Sequence, residues 1–194
     1  MELLSGHVVR RDQPLAIELV STRHVLDGGT VDALATPAGL EAWLGVNAAR
    51  VGSAAGAVDP AAALDRVRDL RDAVDRVLRA VVEKRPPPSD DVEAVNAAAR
   101  GAPSHRELRW TRGGARHAVD VTPAGPADAL LARLAADAVA VVAGERGELG
   151  ACGGPGCILL FVRTRPRQTW CSPTCGNRAR VARHYRRARE GRRA

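Results

Sequence analysis

Every cysteine of the chain lies in its last quarter, as two close pairs: Cys152-Gly-Gly-Pro-Gly-Cys157, thirteen residues, then Cys171-Ser-Pro-Thr-Cys175. Two short-spaced pairs separated by a span long enough to fold back is how a chain offers four thiolates to one tetrahedral Zn²⁺. Cys152, Cys157, Cys171 and Cys175 are therefore expected to hold a single structural zinc ion. The first pair is wider than the commonest two-residue spacing, but Gly153, Gly154, Pro155 and Gly156 allow a tight loop without Cβ clashes. A unit this small takes its folding energy from the metal, on the order of 10–16 kcal/mol in zinc-finger peptides. Without zinc the segment is expected to be largely disordered. Four unligated core or redox thiols are the alternative, and the paired spacing speaks against them.

Around the ligands, residues 158–164 and 168–170 read as two strands turning at Arg165-Pro166-Arg167. Ser172 reads as the N-cap and Pro173 as the first position of a helix running through Arg189 with Cys175 in its first turn. The partial positive charge at that helix N-terminus favours thiolates. Knuckle, hairpin and ligand-bearing helix make a treble-clef-like layout. Phe161 and Trp170 read as packing around the metal loop rather than as base-stacking platforms, and Gly176 as the place where helix backbone meets that loop.

The run Cys175-Gly176-Asn177-Arg178, together with Trp170-Cys171-Ser172, resembles the signature of the CGNR zinc finger family. The resemblance implies a bacterial protein whose larger N-terminal part is an ABATE domain, with the described role of a stress-induced transcription regulator. Residues 15–22 resemble the opening Leu-x-x-Asp-Phe-x-Asn-Thr pattern of that domain through Leu15, Glu18, Leu19, Val20 and Thr22. Leu19 stands where the family has an aromatic and Ser21 where it has an amide, so any pocket built there is altered in this chain. The segment 36–44 is similar to the family as well.

Charge divides the same way as the cysteines. From Gly150 onward there are eleven arginines and one acid, Glu190, against 18 basic and 21 acidic residues before it. The chain is an acidic body with a basic end, as suits a protein that must bring one end to a polyanion. On the last helix Arg180, Arg183 and Arg187 share a face, with Arg186 close by and Arg189, Arg192 and Arg193 beyond, while Val181 and Tyr185 are free to face the finger core. Such a helix pays self-repulsion that a phosphate backbone relieves, and arginine forks suit phosphate and guanine. DNA is the expected partner, through Asn177, Arg178, Arg180, Arg183, Arg186 and Arg187. Asn177 and Arg178 have two roles open to them: support of the thiolates or knuckle backbone, or contact with base edges.

The body has enough apolar residues, 45% of the chain, for a core, but only 3% aromatics, which favours closely packed Leu, Val and Ala helices. Residues 14–22 lean to helix, and 7–12 to an edge or loop. Thr36-Pro37 opens a helix over 36–44 with Leu40, Trp43 and Leu44 on one face. Asp59-Pro60 opens the most regular one, over 60–84, its stripe Leu64, Val67, Leu70, Val74, Val77, Leu78 and Val81, with Asp72–Arg76 and Asp75–Arg79 pairing on the wet face. Ser89-Asp90-Asp91 recaps another helix through Val92, Val95 and Ala99, ended by Gly101 and Pro103. Two alternating runs, 104–111 and 116–122, joined by Gly113-Gly114, read as a hairpin with Trp110, Val119 and Val121 on a buried face. A final helix over 126–143 carries Leu130, Leu131, Leu134, Val139 and Val142. A glycine-rich hinge over 144–150 then leads to the finger.

The expected architecture is mainly α: a helical domain with a small β-hairpin over 1–147, sensing or dimerising, then a treble-clef-like zinc finger over 148–194. The most apolar stretch, 127–144, is broken by Asp128, Arg133 and Asp137, so no membrane span is expected. Cysteines confined to one motif and the absence of a leader at the start point to the cytoplasm. No phosphate loop, serine elbow or paired-histidine motif is present among His7, His24, His105, His117 and His184, and a four-thiolate site has no open position for water, so an enzyme is not expected. The expected function is zinc-dependent DNA binding by a one-component regulator, with a small-molecule effector at the body and a homodimer as further partners. A protein-interaction module or an RNA-binding protein is the alternative.

Overall fold

The computed structural model describes residues 2–4, 7–10, 12–26, 28–52 and 56–190, with the side chains of 2–4 and 7–9 outside the description. Arg192 and Arg193 of the basic end lie outside these residues. The chain is mainly helical, as expected. Hairpins are the minor component: β1 (Glu2–Leu4) pairs antiparallel with β2 (His7–Val9), and β3 (Arg23–Leu26) with β4 (Gly29–Asp32). Neither hairpin was expected from the sequence. Gly28, in the turn of the second, sits at φ +82°.

Between them runs α1 (Leu15–Val20), every residue of which is buried, Glu18 included. Six residues are too few for a helix to persist alone, so packing maintains it. Asp137 accepts the Ala16 N–H at 2.8 Å and so satisfies one of its unpaired amides. Around α1 stand α2 (Pro37–Val46) with the four-residue α3 (Ala48–Val51), then α4 (Pro60–Val82), α5 (Ser89–Arg100) and α6 (Pro126–Val142). The expected caps form, with Thr36 accepting from Gly39 N–H and Asp59 from Ala61 N–H. Ser89 begins α5 without a side-chain cap bond; Pro88 occupies the cap position.

The stripe of α4 is buried from Leu64 to Leu78, and Val81 is left at its exposed end. On α6 the buried face continues from Leu134 through Ala135, Ala138 and Val141, while Val139 and Val142 turn outward. Small alanines share that face with Leu134 and Val141, which lets the neighbouring helices approach closely.

Two salt-bridge expectations for α4 divide. Asp75 and Arg79 pair at 2.8 Å, but Arg76 instead grips Asp91 of α5 with both arms of its fork, at 2.6 and 2.8 Å. A carboxylate offered by a neighbouring element in bidentate geometry outcompetes one on the same helix. Asp72 is taken by Arg23 and Arg71.

β5 (His105–Trp110) and β6 (Arg116–Val121) form the expected hairpin, but it has no buried face. Trp110 and Leu108 are 62% and 68% exposed, and Val119 and Val121 are only half-buried. The hairpin is an arm beyond α5 and α6, and Arg116 stacking over the Trp110 ring at 5.5 Å is its main cover.

Arg71 carries the least visible part of the body. It is 1% exposed, gives both terminal nitrogens to Asp32 at 2.6 and 3.0 Å and Nε to Asp72 at 2.8 Å. This ties the β3–β4 hairpin to α4. Burial pushes the Asp32 carboxyl upward, but the Arg71 bonds, the Leu34 N–H and the nearby guanidiniums outweigh it and leave the group below its ordinary value. Removing one partner of a buried pair strands the other. Arg71→Ala is expected to cost about 3 kcal/mol in urea denaturation. Since the unfolded chain protonates Asp32 first, the pair's contribution is complete above about pH 4 and drains as pH falls through the lowered value. Arg71→Met should flatten that part of the acid titration of stability.

Candidate functional site

The four cysteine sulfurs all lie within 4.8 Å of one another. Cys157 and Cys171 are 3.8 Å apart and Cys171 and Cys175 3.6 Å. A zinc tetrahedron with bonds of about 2.3 Å has edges of about 3.8 Å, so the quartet is placed to bind one ion. Its donors come from two loops. Cys152 and Cys157 sit in the turn between β7 (Leu149–Ala151) and β8 (Leu160–Val162), and Cys171 and Cys175 flank the start of α7 (Pro173–Glu190). The hairpin partner of β8 is thus the strand before the first cysteine; residues 168–170 form no strand. They instead close onto the knuckle through Gly153 N–H to the Thr169 carbonyl at 2.9 Å, after a turn in which Arg167 takes φ +60°.

The start of α7 forms as the sequence reading has it, with Ser172 Oγ accepting the Cys175 N–H at 3.2 Å. Cys152 Sγ accepts from the backbone of Gly154 at 3.4 Å and of Cys171 at 3.3 Å. Hydrogen bonds from Cys157 and Cys171 hold the Cys152 thiol far below the usual thiol range, and the same bonds push those two thiols up. A dication binds thiolates, so metal binding releases the protons that the raised thiols hold. At Gly154 a Cβ would stand 2.9 Å from Cys175 Cβ, so that position requires glycine's bareness, and at Gly176 one would meet the Trp170 ring at 3.1 Å, a tight contact at which the ring would have to give slightly. Phe161 is fully buried and Trp170 half-buried, as packing around the metal loop requires.

Asn177 and Arg178 part company. Arg178 donates Nη2 to Cys175 Sγ at 3.1 Å, and this bond to the sulfur keeps the guanidinium firmly charged. Asn177 is exposed on the other side of α7. At 100° per residue Asn177, Arg180, Arg183 and Arg187 fall within an arc of about 120° roughly opposite Cys175, while Arg186 lies toward the metal side. All five are exposed. Val181 and Tyr185 do not face the finger core: they are 47% and 65% exposed.

The stretch read as a hinge is instead seated in the body. Leu149 packs against the helical core, and Leu160 and Val162 belong to it. Gln13 receives the Val162 N–H on Oε1 at 2.7 Å and gives Nε2 to the Val162 carbonyl at 3.1 Å. Arg10, 4% exposed, donates to the Leu160 carbonyl at 2.9 Å. These anchors join residues about 150 apart, and no local pattern announces them.

Residues 13–145 match the family model for ABATE, described as "Putative stress-induced transcription regulator". The chain belongs to the ABATE family. Residues 148–188 match the CGNR zinc finger model, so the ABATE domain is followed by a finger with one structural zinc site. No curated protein matches the chain. Neither family model describes an enzyme, and no helix among the described residues is long and apolar enough to cross a membrane.

Two outcomes follow from this arrangement. Stripping zinc with a chelator should raise hydrogen exchange across 164–190 while β7 and β8, held by the ABATE core, stay protected. Arg178→Ala should weaken zinc about 10-fold or more in a competition titration, as loss of a ligand's outer partner does.

Proposed function

We propose that this ABATE protein is a zinc-dependent, DNA-binding transcriptional regulator of the one-component bacterial type, working in the cytoplasm. Residues 148–194 are the DNA-binding finger and residues 1–147 the body that positions it. The observation that carries the reading is how the arginines are matched. In the body, Arg23, Arg66, Arg71, Arg76, Arg79 and Arg100 each meet a carboxylate. On α7, Arg180, Arg183, Arg186 and Arg187 meet none among the described residues. A helix carrying that much unopposed charge is stabilised by an anionic partner, and evenly spaced phosphates fit an exposed arginine face.

Zinc sets the direction of that face. Cys175 and the Arg178 contact fix the first turn of α7, and the turns beyond it extend the exposed arc of Asn177, Arg180, Arg183 and Arg187 toward solvent. Backbone contact supplies affinity on this account, and the exposed Asn177 would read a base edge. The family's description as a transcription regulator agrees with this reading.

Fluorescence anisotropy of the zinc-loaded protein on a duplex of about 25 base pairs tests it. The logarithm of the binding constant should fall with the logarithm of salt by about 0.9 per phosphate contacted. The triple variant Arg180→Ala, Arg183→Ala, Arg187→Ala should lower that slope by about 2.7. Tighter binding to RNA than to duplex DNA would move the reading to RNA, and no binding to either at about 50 mM salt would remove it.

A further inference from the structure

We propose that the cleft where the ABATE domain meets the finger hairpin binds a small organic anion bearing carboxylate or phosphate groups. The cleft has a volume of about 640 Å³ and is lined by guanidiniums from four separate places. Arg50 comes from α3, Arg133 from α6, Arg146 from just after α6, and Arg163 from the residue following β8. Two carboxylates, Asp12 and Asp137, stand against these four cations, so the lining carries an excess of two positive charges. The size lies within the range of small-molecule sites, roughly 300–1,000 Å³.

The bonds made by these arginines decide what the cleft can hold. Asp137 is already committed, accepting the Ala16 N–H at 2.8 Å and pairing with Arg146 at 3.1 Å. Arg163 pairs with Glu148 at 3.1 Å and lies over the Phe161 ring, which fixes its plane. Arg50 and Arg133 differ from both. Arg50 donates to the Gln13 carbonyl and to Asn47 Oδ1, and Arg133 gives Nε to the Arg50 carbonyl at 2.6 Å. Among the described residues neither has a carboxylate partner.

A neutral carbonyl holds a guanidinium in place without cancelling its charge. Arg50 and Arg133 are therefore oriented and adjacent in a concave setting where their fields add, with no carboxylate bonded to either among the described residues, although the charge of the buried Glu18 reaches Arg50. A guanidinium has five donors in a fixed fork, and Nε is the one Arg133 spends on Arg50. Its terminal nitrogens present the edge that matches a carboxylate or phosphate in two parallel bonds. An apolar ligand would leave this charge unmet; an anion relieves it.

The position of the cleft gives occupancy a consequence. Arg163 and Thr164 belong to the finger, and the other five charged groups to the ABATE domain or its exit. Gln13, whose carbonyl Arg50 holds, clasps both backbone groups of Val162. An anion bridging Arg163 to Arg50 or Arg133 stiffens the seat from which the finger extends. This regulatory consequence rests on the DNA-binding reading above, whereas binding of the anion does not.

Isothermal calorimetry on the full-length zinc-loaded protein, without DNA, tests binding with two probes, citrate and inorganic phosphate, at matched ionic strength. At least one should bind with one-to-one stoichiometry: citrate alone assigns a polycarboxylate, phosphate alone a phosphate ester. Because the arginines of α7 also attract anions, two variants separate the sites. Arg133→Ala should weaken the bound probe at least tenfold, and the triple alanine variant of Arg180, Arg183 and Arg187 should leave it within twofold. If Arg133→Ala loses its native circular dichroism, Arg133→Gln, which keeps a donor for the Arg50 carbonyl, replaces it with the same expectation. No binding of either probe, or binding lost with the α7 variant and kept without Arg133, would overturn the proposal.

Discussion

Four cysteine sulfurs held within 4.8 Å of one another form a cluster that cannot carry four negative charges unaided. Mutual hydrogen bonding pulls the Cys152 thiol down and pushes Cys157 and Cys171 up, so these sulfurs do not ionise independently. Full ionisation needs a dication at the centre. Everything particular to the finger serves that convergence: the bare Cα at Gly154 that lets the knuckle touch Cys175, the Ser172 cap that starts α7 at the ligand, and the Arg178 fork on the last sulfur. The direction in which α7 leaves the protein is a consequence of coordination geometry.

A second constraint acts on the other end of the finger. β8 is bound on one side to its zinc knuckle and on the other to the ABATE core, through Leu160 and Val162 and the double clasp of Gln13. One three-residue strand thus belongs to both units. The seam is a packed and hydrogen-bonded contact rather than a loose glycine linker. The cleft beside the seam is one place where arginines of both units face a common volume.

Much of this was legible in the sequence because it is encoded locally. The ligand spacing, the Thr36, Asp59 and Ser172 starts, the stripe of α4 and the Gly113-Gly114 hairpin each lie within a few turns of chain. What escaped is what depends on elements distant in sequence. The Arg76 partner came from α5 because a neighbouring helix offered both carboxylate oxygens at once. The strand pairing β8 came from before the knuckle, since residues 168–170 fold down onto Gly153 instead. The alternating pattern of β5 and β6 fixed their conformation, but alternation cannot say whether another layer covers the face, and Trp110 and Leu108 have none among the described residues. In sequence nothing distinguishes Arg71 from the other charges of α4; its pairing depends on the Asp32 carboxylate that β4 brings to it.

The distribution of arginines joins these threads. This chain contains almost no lysine, so the same side chain must serve as structural clamp, metal support and contact with partners. Its surroundings separate the roles. Where a carboxylate closes the fork, as at Arg71 and Arg76, the arginine links body elements; where a sulfur does, at Arg178, it steadies the metal site. Where a backbone carbonyl or side-chain amide only orients it, as at Arg50 and Arg133, or no carboxylate meets it among the described residues, as at Arg180, Arg183 and Arg187, charge is left over. Leftover charge costs self-repulsion in proportion to its crowding. The cleft gathers some of it in a concave setting and α7 spreads some along an extended face, shapes that suit a small anion and a polymeric one respectively.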